Sequence, residues 1–452
     1  MTRLFPCRHQ ISLDFTDPMQ FESDTTRRYR CLHTKIVLAA CSLISAALPT
    51  RIQADWPEFR GPLQNGVTDN TLLPINWSEK ENVKWFSKTK GLGWSSPVIV
   101  GNRIYFTSAS NAESDANEDS DLAGSQQLQL NCLNANDGKV IFTKVIFEQA
   151  KDAPKIHNKN SHASPSPVVS QGCIYVHFGH QGTACTDLDG NVLWENREHA
   201  FPPTHGNGGS PIIVDDKLVL TCDGGNTPYT LALDLKTGKE VWRTNRSVDT
   251  DRKFSFATPQ LIRVGNQQQI ISPGSNVVQS LSPTDGKVIW FVRYDGFSVV
   301  PRPVLYRDTL FVITGFMASK LLAIDPTGRG DVTETHVKWT FGSAVPTTPS
   351  IVCFENQIVM TSDNGIATGV DFETGKELWR KRLGGNYSAS PLLAGNKVYF
   401  QSETGESSIL QLGDKPTEVA KNSLPGRIFA SYSVTGNDFV IRTEKGVYRI
   451  GL

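Results

Sequence analysis

The chain has 452 residues, of which 45 are basic, 45 are acidic and 38% are hydrophobic. This length is enough for two or three domains, or for one large repetitive domain. The balanced charge excludes a strong global field that would attract nucleic acid or an anionic membrane. The composition is that of a globular protein, not of a disordered or multi-spanning one.

Residues 1–54 are predicted to be an N-terminal extension that ends in a secretory signal. A basic flank ending at Lys35 precedes an apolar run at 36–48, which is shorter than a membrane span requires. The predicted cleavage follows Ala54. A lipobox ending at Cys41 is the alternative, and membrane association is expected only if Cys41 is lipidated. We therefore expect export to the periplasm or cell envelope.

The chain beyond residue 54 carries 38 basic and 41 acidic residues, which again argues against a nucleic-acid partner. Five cysteines remain there, and none of them forms a CxxC motif or an adjacent pair. An odd number without such spacing indicates neither a disulfide framework nor a zinc site. No metal site is expected.

Two sequence elements recur along the chain, and the first is a Ser/Thr/Arg-Pro step followed by a β-rich run. It recurs at intervals of 42 to 70 residues, at Pro97, Pro167, Pro211, Pro259, Pro303, Pro349 and Pro391. The second is a turn, mostly Asp-Gly or Thr-Gly, followed by an aromatic residue, namely Phe142, Trp194, Trp242, Trp290, Trp339 and Trp379. The glycine supplies a positive-φ turn between antiparallel strands, and the ring is expected to pack on the neighbouring unit. A small residue six or so positions before the glycine lets adjacent sheets approach closely; Cys132 and Cys185 are two such residues.

A repeat of about 44 residues with four short strands is typical of one blade of a β-propeller. The Pro steps predict seven blades, and residues 429–450 supply three strands of an eighth. The missing outer strand is predicted at 81–86, around Trp85. We therefore predict an all-β fold: an eight-bladed propeller at 81–452, closed by strand exchange and preceded by a lead-in segment at 55–80. The protein is expected to be a monomer.

The motif Ala-Leu-Asp-x-x-Thr-Gly-Lys-x-x-Trp, complete at 232–242, resembles the tryptophan-docking repeat of the pyrroloquinoline-quinone-like propellers. The resemblance covers about residues 80–452, and residues 56–62 and 73–77 are similar to the start of a bacterial secreted subgroup. It implies one of two functional classes. These are quinone- and calcium-dependent dehydrogenases, and non-enzymatic scaffolds such as the lipoprotein that helps to assemble outer-membrane β-barrels.

The dehydrogenases of this family hold the quinone under a calcium ion, with carboxylate and amide ligands and two adjacent cysteines. This chain has no adjacent cysteine pair and no aligned set of Asp, Glu and Asn, and it lacks GxSxG, HExxH and Walker motifs. We therefore expect a non-enzymatic scaffold without a cofactor, which binds an envelope protein or peptide by its loop-lined face or by strand addition. A dehydrogenase dependent on pyrroloquinoline quinone and calcium is the alternative. Polysaccharide binding through Trp94 and Tyr387, expected to be exposed, is a third hypothesis.

Candidate binding residues lie in loops that repeat from blade to blade. Six of the seven histidines beyond residue 54 fall between positions 157 and 205, and His162 and His205 precede Pro steps that lead to the central channel. Other loop residues are expected to converge on one polar funnel, the usual ligand site of a propeller. These are Arg302, Asp363, Asn364, Asn386, Tyr387, Glu403 and Arg442. The alternative is that they satisfy backbone groups at blade turns.

The acidic stretch 110–127 begins like a calcium loop at Asp115, Asn117 and Asp119. Ser120 stands where such a loop needs glycine, and Gln126 stands where it needs a bidentate glutamate. The stretch is therefore predicted to be a solvated insertion in the first blade.

Overall fold

The computed structural model describes residues 55–111, 125–246, 248 and 250–452. The predicted signal at 1–54 and most of the acidic insertion lie outside these residues. The described part of the chain forms eight β-sheets, each with four or five strands. Its one assigned helical element is a 3-10 turn at Gly179–Gln181, and no helix in it is long and apolar enough to cross a membrane.

The first two strands along the chain, β1 (Val67–Thr68) and β2 (Val83–Lys88), join blades formed by later segments. Blades 1 to 3 consist of antiparallel strands given from the axis outwards. Blade 1 is β3 (Val98–Val100), β4 (Arg103–Asn111), β5 (Gln126–Asn134) and β6 (Val140–Gln149). Blade 2 is β7 (Val168–Ser170), β8 (Cys173–His177), β9 (Thr183–Asp187) and β10 (Val192–Asn196). Blade 3 is β11 (Ile212–Val214), β12 (Lys217–Cys222), β13 (Tyr229–Asp234) and β14 (Glu240–Asn245).

A short strand from the chain of blade 5, β22 (Gly330–Asp331), pairs in parallel with the outer edge of blade 4. Blade 4 is β15 (Gln260–Val264), β16 (Gln267–Gly274), β17 (Val277–Leu281), β18 (Val288–Arg293) and β22 (Gly330–Asp331). Blade 5 is β19 (Val304–Tyr306), β20 (Thr309–Ile313), β21 (Leu321–Ile324) and β23 (Val337–Phe341).

Blade 7 also gains a strand, since β1 pairs in parallel with its innermost strand. Blade 6 is β24 (Val352–Phe354), β25 (Gln357–Thr361), β26 (Ile366–Asp371) and β27 (Glu377–Arg382). Blade 7 is β28 (Leu392–Ala394), β29 (Lys397–Gln401), β30 (Glu406–Gln411) and β31 (Thr417–Ser423).

Blade 8 closes the ring by joining the two ends of the propeller. Its inner strands are β32 (Ser433–Thr435), β33 (Asp438–Thr443) and β34 (Gly446–Ile450), and its outer strand is β2. Phe86 lies opposite Tyr448 in the antiparallel register of β2 and β34. The predicted eight-bladed propeller and its closure by strand exchange are therefore confirmed.

The outer strands carry the repeated aromatic residues, and these join neighbouring blades. The indole N–H of Trp85 donates to the carbonyl of Ala135 at 3.0 Å, in the next blade around the ring. Trp194 and Trp242 make the equivalent bonds to Leu235 and Pro283. The ring also lies on the turn glycine: a Cβ at Gly138, where φ is +70°, would be 2.6 Å from Trp85. Only glycine fits this contact.

The small residues lie directly across the strand pair from these rings. Cys132 faces Phe142, Cys185 faces Trp194 and Ala232 faces Trp242. Hydrophobic clusters form between consecutive blades; one joins Tyr175 of blade 2 to Leu231 of blade 3. Burial raises the pKa of the Cys132 thiol to about 12, so this cysteine is an inert packing group.

The lead-in segment crosses the ring of blades. Trp56 exchanges two backbone hydrogen bonds of 2.8 Å with Ile99 in blade 1, and β1 lies at blade 7. Trp77 packs on Tyr399 and on Phe439, with ring centroids 6.4 and 5.5 Å away. The segment is therefore an integral part of the propeller.

Candidate functional site: the axial cavity

Around the axis, seven blades each place one hydroxyl two residues before the innermost strand. We call this set the hydroxyl ring: Ser96, Ser166, Ser210, Thr258, Ser350, Ser390 and Ser431. The backbone N–H of each blade's residue donates to the hydroxyl of the next at 2.8–3.0 Å. The eighth position is Arg302, whose N–H donates to Ser350 but which offers no hydroxyl to Thr258. The blades are thus joined side chain to backbone around the axis.

This ring explains the recurring Pro step. Five members of the hydroxyl ring directly precede proline, as does Arg302, but Ser350 and Ser431 precede Ile351 and Tyr432. Pro349, predicted as the step of blade 6, is therefore two residues too early. The hydrogen bonds between blades use the N–H and the hydroxyl of the ring residues. The residue that follows each ring residue needs no N–H for them, so proline is tolerated there.

Arg302 does not line a funnel as predicted; it anchors the lead-in segment. Its guanidinium is buried and donates to the carbonyl of Phe59 at 2.7 Å, to that of Pro259 at 3.1 Å and to the Glu58 carboxylate at 3.2 Å. Burial raises the pKa of Glu58, and the nearby Arg302 opposes this rise. Arg60 is buried beside it and donates to the carbonyl of Ile351 at 2.5 Å.

A cavity of about 600 Å³ occupies the axis, within the size range of small-molecule and peptide pockets. Part of its wall comes from the residues two positions before each ring residue and before Arg302, namely Trp94, Ser164, Gly208, Phe256, Val300, Thr348, Ser388 and Phe429. All eight blades therefore contribute. Phe59 of the lead-in segment also lines it.

One side of the cavity is aromatic. The ring centroid of Phe254 lies 6.1 Å from that of Phe256 and 5.7 Å from that of Phe297. The centroids of Phe297 and Phe316 are also 5.7 Å apart. We call Phe254, Phe256, Phe297 and Phe316 the aromatic wall. The His205 ring extends it, edge-to-face on Phe254 at 5.2 Å. Such contacts fix the rings in place, and 52% of Phe316 remains exposed.

Polar groups at the same cavity are mostly engaged by neighbours. Asp363 accepts hydrogen bonds from the N–H and hydroxyl of Thr347. Lys159 pairs with Glu403 at 2.9 Å, and Glu403 also accepts from Ser388. Burial, with the charges of His205 and Lys159, lowers the pKa of His157. This histidine is therefore largely neutral at neutral pH.

Of the nine predicted site residues, His205 and Asp363 line the cavity. Arg442 is buried, donates to Ser95 and lies over Phe106, and burial lowers its pKa to about 9. Tyr387 is buried in the core between blades 6 and 7, with its pKa raised to about 12. Asn364 and Asn386 are exposed, and His162 contacts Gln149. Several of these residues therefore stabilise the loops and the core, as in the alternative that they satisfy backbone groups at blade turns.

The described donors do not fit a calcium–quinone centre. Within the described part of the chain, Asp363 is the one carboxylate that lines the cavity, whereas Ca²⁺ takes six to eight oxygen ligands, several of them carboxylates. Within the described residues no group of three or more His, Cys, Asp or Glu is placed to hold a metal. Cys173 is half-buried in its sheet, and Cys132, Cys185, Cys222 and Cys353 are buried.

Comparison with known proteins agrees with this architecture. The family model described as outer membrane protein assembly factor BamB matches residues 76–270 and 274–415. This chain belongs to that family. The BamB proteins of Burkholderia pseudomallei, Legionella pneumophila and Yersinia pestis are 26%, 23% and 23% identical to it, over 33%, 43% and 40% of the chain. The matches span only 35% to 49% of the length of those relatives.

Solved structures outside and inside the BamB family share the fold. BamB from Moraxella catarrhalis has a TM-score of 0.55 at 14% identity, with 81% of this chain and 98% of that chain covered. A europium-containing methanol dehydrogenase has a TM-score of 0.60 at 11% identity, with 88% and 89% covered. At such identities these likenesses establish the propeller and not an activity.

Sequence reasoning missed the aromatic wall of this BamB-family propeller. Phe256 lies two residues before a ring residue, so the repeat phase could have located it. Phe254, Phe297 and Phe316 lie in connections of differing length, where the repeat gives no register. Trp94, expected to be exposed, is 8% exposed, and Tyr387 is 2% exposed. The hypothesis of polysaccharide binding through these two rings loses its basis.

Proposed function

We propose that this chain is an exported, non-enzymatic scaffold of the bacterial cell envelope that binds a protein partner during outer membrane protein assembly. Membership of the BamB family supports the envelope role, because its relatives are named outer membrane protein assembly factors. The predicted signal within residues 1–54 supports export. The partner is expected to be an envelope protein or peptide.

The observation that carries this proposal is the character of the axial cavity. Its aromatic wall offers apolar surface, while its charged side chains, Asp363 and Lys159, are engaged by neighbouring groups. A redox or hydrolytic centre needs free ligands or a poised base. Aromatic surface framed by polar groups is instead typical of an interaction site.

Photo-crosslinking in the organism that encodes the chain tests the proposal. A benzophenone amino acid is placed at Met317, which is 60% exposed beside Phe316, or at Leu193, which is 57% exposed on the outer strand of blade 2. We expect a discrete product from Met317 that mass spectrometry identifies as an envelope protein of outer-membrane assembly, and none from Leu193. Absence of a product at Met317, or equal products at both positions, would contradict the proposal.

A further inference from the structure

Trp94 lines the axial cavity, and its indole nitrogen is enclosed by the protein. Its side chain is 8% exposed, and its indole nitrogen has no hydrogen-bond partner among the described residues. The ring is held 4.5 Å from Phe429 and lines the cavity. Buried indole N–H groups normally find an acceptor. The Trp94 nitrogen has almost no accessible surface, so a ligand in the cavity can contact the ring but does not reach this donor.

The hydroxyl ring supplies hydrogen-bond donors to this cavity. Ser96, Ser166, Ser210, Ser350, Ser390 and Ser431 all line it. Each accepts a backbone hydrogen bond, and a hydroxyl that accepts still has its own hydrogen to donate. The ring can therefore donate to carbonyl oxygens that enter the cavity.

The aromatic wall and its surroundings define the rest of the ligand. Phe316 and Met317 are more than half exposed, which makes apolar area available for burial. The guanidinium of Arg252 lies 4.6 Å from the centre of the Phe297 ring and brings positive charge to this wall. His205 lies beside Phe254 on the same wall. The complementary ligand carries an apolar ring, carbonyl oxygens and a nearby negative charge.

A saccharide fits this lining less well than a peptide. Sugar hydroxyls are recognised by planar amide and carboxylate groups, and Asn160 and Asp363 are the ones on the described wall. Asn160 is already bonded to Ser164 and to the carbonyl of His205, and Asp363 to Thr347. The wall rings also meet edge-to-face and do not form a flat platform.

We propose that the axial cavity binds an extended peptide segment of the partner. The segment packs a phenylalanine-like side chain on the aromatic wall, accepts a hydrogen bond on a main-chain carbonyl from the hydroxyl ring and carries an acidic residue beside Arg252. This inference rests on the proposed scaffold function and names the chemistry of its partner.

Fluorescence anisotropy with a labelled peptide tests the inference on the purified chain. The probe has blocked ends, one aspartate and two phenylalanines that alternate with threonine; the control peptide has serine in place of both phenylalanines. We expect saturable binding of the probe with a Kd on the order of 10 µM. The serine peptide should bind at least about tenfold more weakly, because it buries far less apolar area.

Variants locate the binding within the cavity. Val300→Trp fills the space from a half-buried wall position and should abolish binding. Phe316→Ser should weaken it about tenfold, because it removes apolar area from the wall. Leu193→Ser removes a similarly exposed apolar side chain far from the axis and should leave the affinity unchanged. Thermal melting confirms that each variant is folded.

Four results would overturn the inference: no saturable binding, equal binding of the serine peptide, full binding by Val300→Trp, or displacement of the probe by a neutral oligosaccharide. Equal affinity for N-acetylphenylalaninamide would also overturn it, because it would indicate a small-molecule site. If Val300→Trp still gives the Met317 crosslink in cells, the scaffold function stands and the cavity is not its binding site. If the peptide binds but no crosslink forms, the cavity assignment stands and the proposed function fails.

Discussion

The residues at the outer rim of this propeller repeat more regularly from blade to blade than the residues at its axis. At the rim, the indole N–H of four tryptophans donates to a carbonyl of the next blade: Trp85, Trp194, Trp242 and Trp339. At the axis, the hydroxyl ring also repeats, but the residues two positions earlier range from Gly208 to Trp94.

The difference separates residues that specify the fold from those that specify a surface. A contact needed by every blade keeps one residue type, because each blade has the same neighbour geometry. The cavity wall has no such requirement, so each blade can contribute different chemistry. Trp290 and Trp379 show the limit of the rim rule, since they donate instead to Gln269 and Gln357 of their own blades.

The largest effect is expected at the break in the hydroxyl ring. Arg302→Ala should lower the free energy of unfolding by about 3–5 kcal/mol, because it leaves the carboxylate of Glu58 buried without its cation. Urea unfolding measures this loss. Arg380→Ala, which removes a half-exposed ion pair to Glu377, should cost less than about 1 kcal/mol.

The loss should also depend on pH. Without Arg302, the pKa of Glu58 in the folded state rises further above its ordinary value of 4.5. The folded variant then holds a proton that the unfolded chain has released, so its stability falls as pH rises through that window. The gap between Arg302→Ala and the parent chain should narrow below about pH 4.5. A gap independent of pH would show that Glu58 does not cause the loss.

An intermediate effect is expected from a hydroxyl of the ring. Ser390→Ala removes the acceptor of the buried Ser350 N–H, a bond of 3.0 Å, and should cost about 1–3 kcal/mol. The matched substitution Ser423→Ala, on the exposed outer strand of blade 7, should change the free energy of unfolding by less than about 0.5 kcal/mol. Equal losses in the free energy of unfolding for the two variants would show that the hydroxyl ring does not stabilise the fold.

The smallest effect distinguishes two tryptophans directly. Trp242→Phe loses the bond to Pro283 and should cost about 1–2 kcal/mol. Trp94→Phe loses no recorded bond of its indole nitrogen and should cost clearly less, although both side chains are buried. Thermal or urea unfolding of the two variants side by side measures the difference, and a larger loss for Trp94→Phe would contradict it.

The blades could be predicted because their signals are local. A turn glycine and a ring four residues later mark each outer strand, and Trp85 without a preceding strand marks the closure. The hydrogen bonds of the hydroxyl ring were harder to predict, because they join residues that are far apart in the sequence. Ser350 and Ser390 are 40 residues apart, and Arg302 and Ser350 are 48 residues apart. Only the closed ring brings them together.

The candidate site was predicted poorly for two physical reasons. Arg302 and Arg442 lie in equivalent blade loops, which predicts a place at the cavity mouth, but the position of a loop does not fix the direction of its side chains; both arginines are buried and donate to backbone carbonyls. Aromatic residues in loops carry no periodicity, so Phe297 and Phe316 gave no signal. Only the folded chain shows that these rings meet at the axis.

The central claim is that the axis serves recognition and not quinone chemistry. It is tested most directly by titrating the purified chain with pyrroloquinoline quinone, with and without calcium, while following the fluorescence of its nine tryptophans. Free tryptophan corrects for inner-filter loss. We predict no saturable quenching at either calcium level. Saturable, calcium-dependent quenching would contradict the claim and assign the axial cavity to the cofactor.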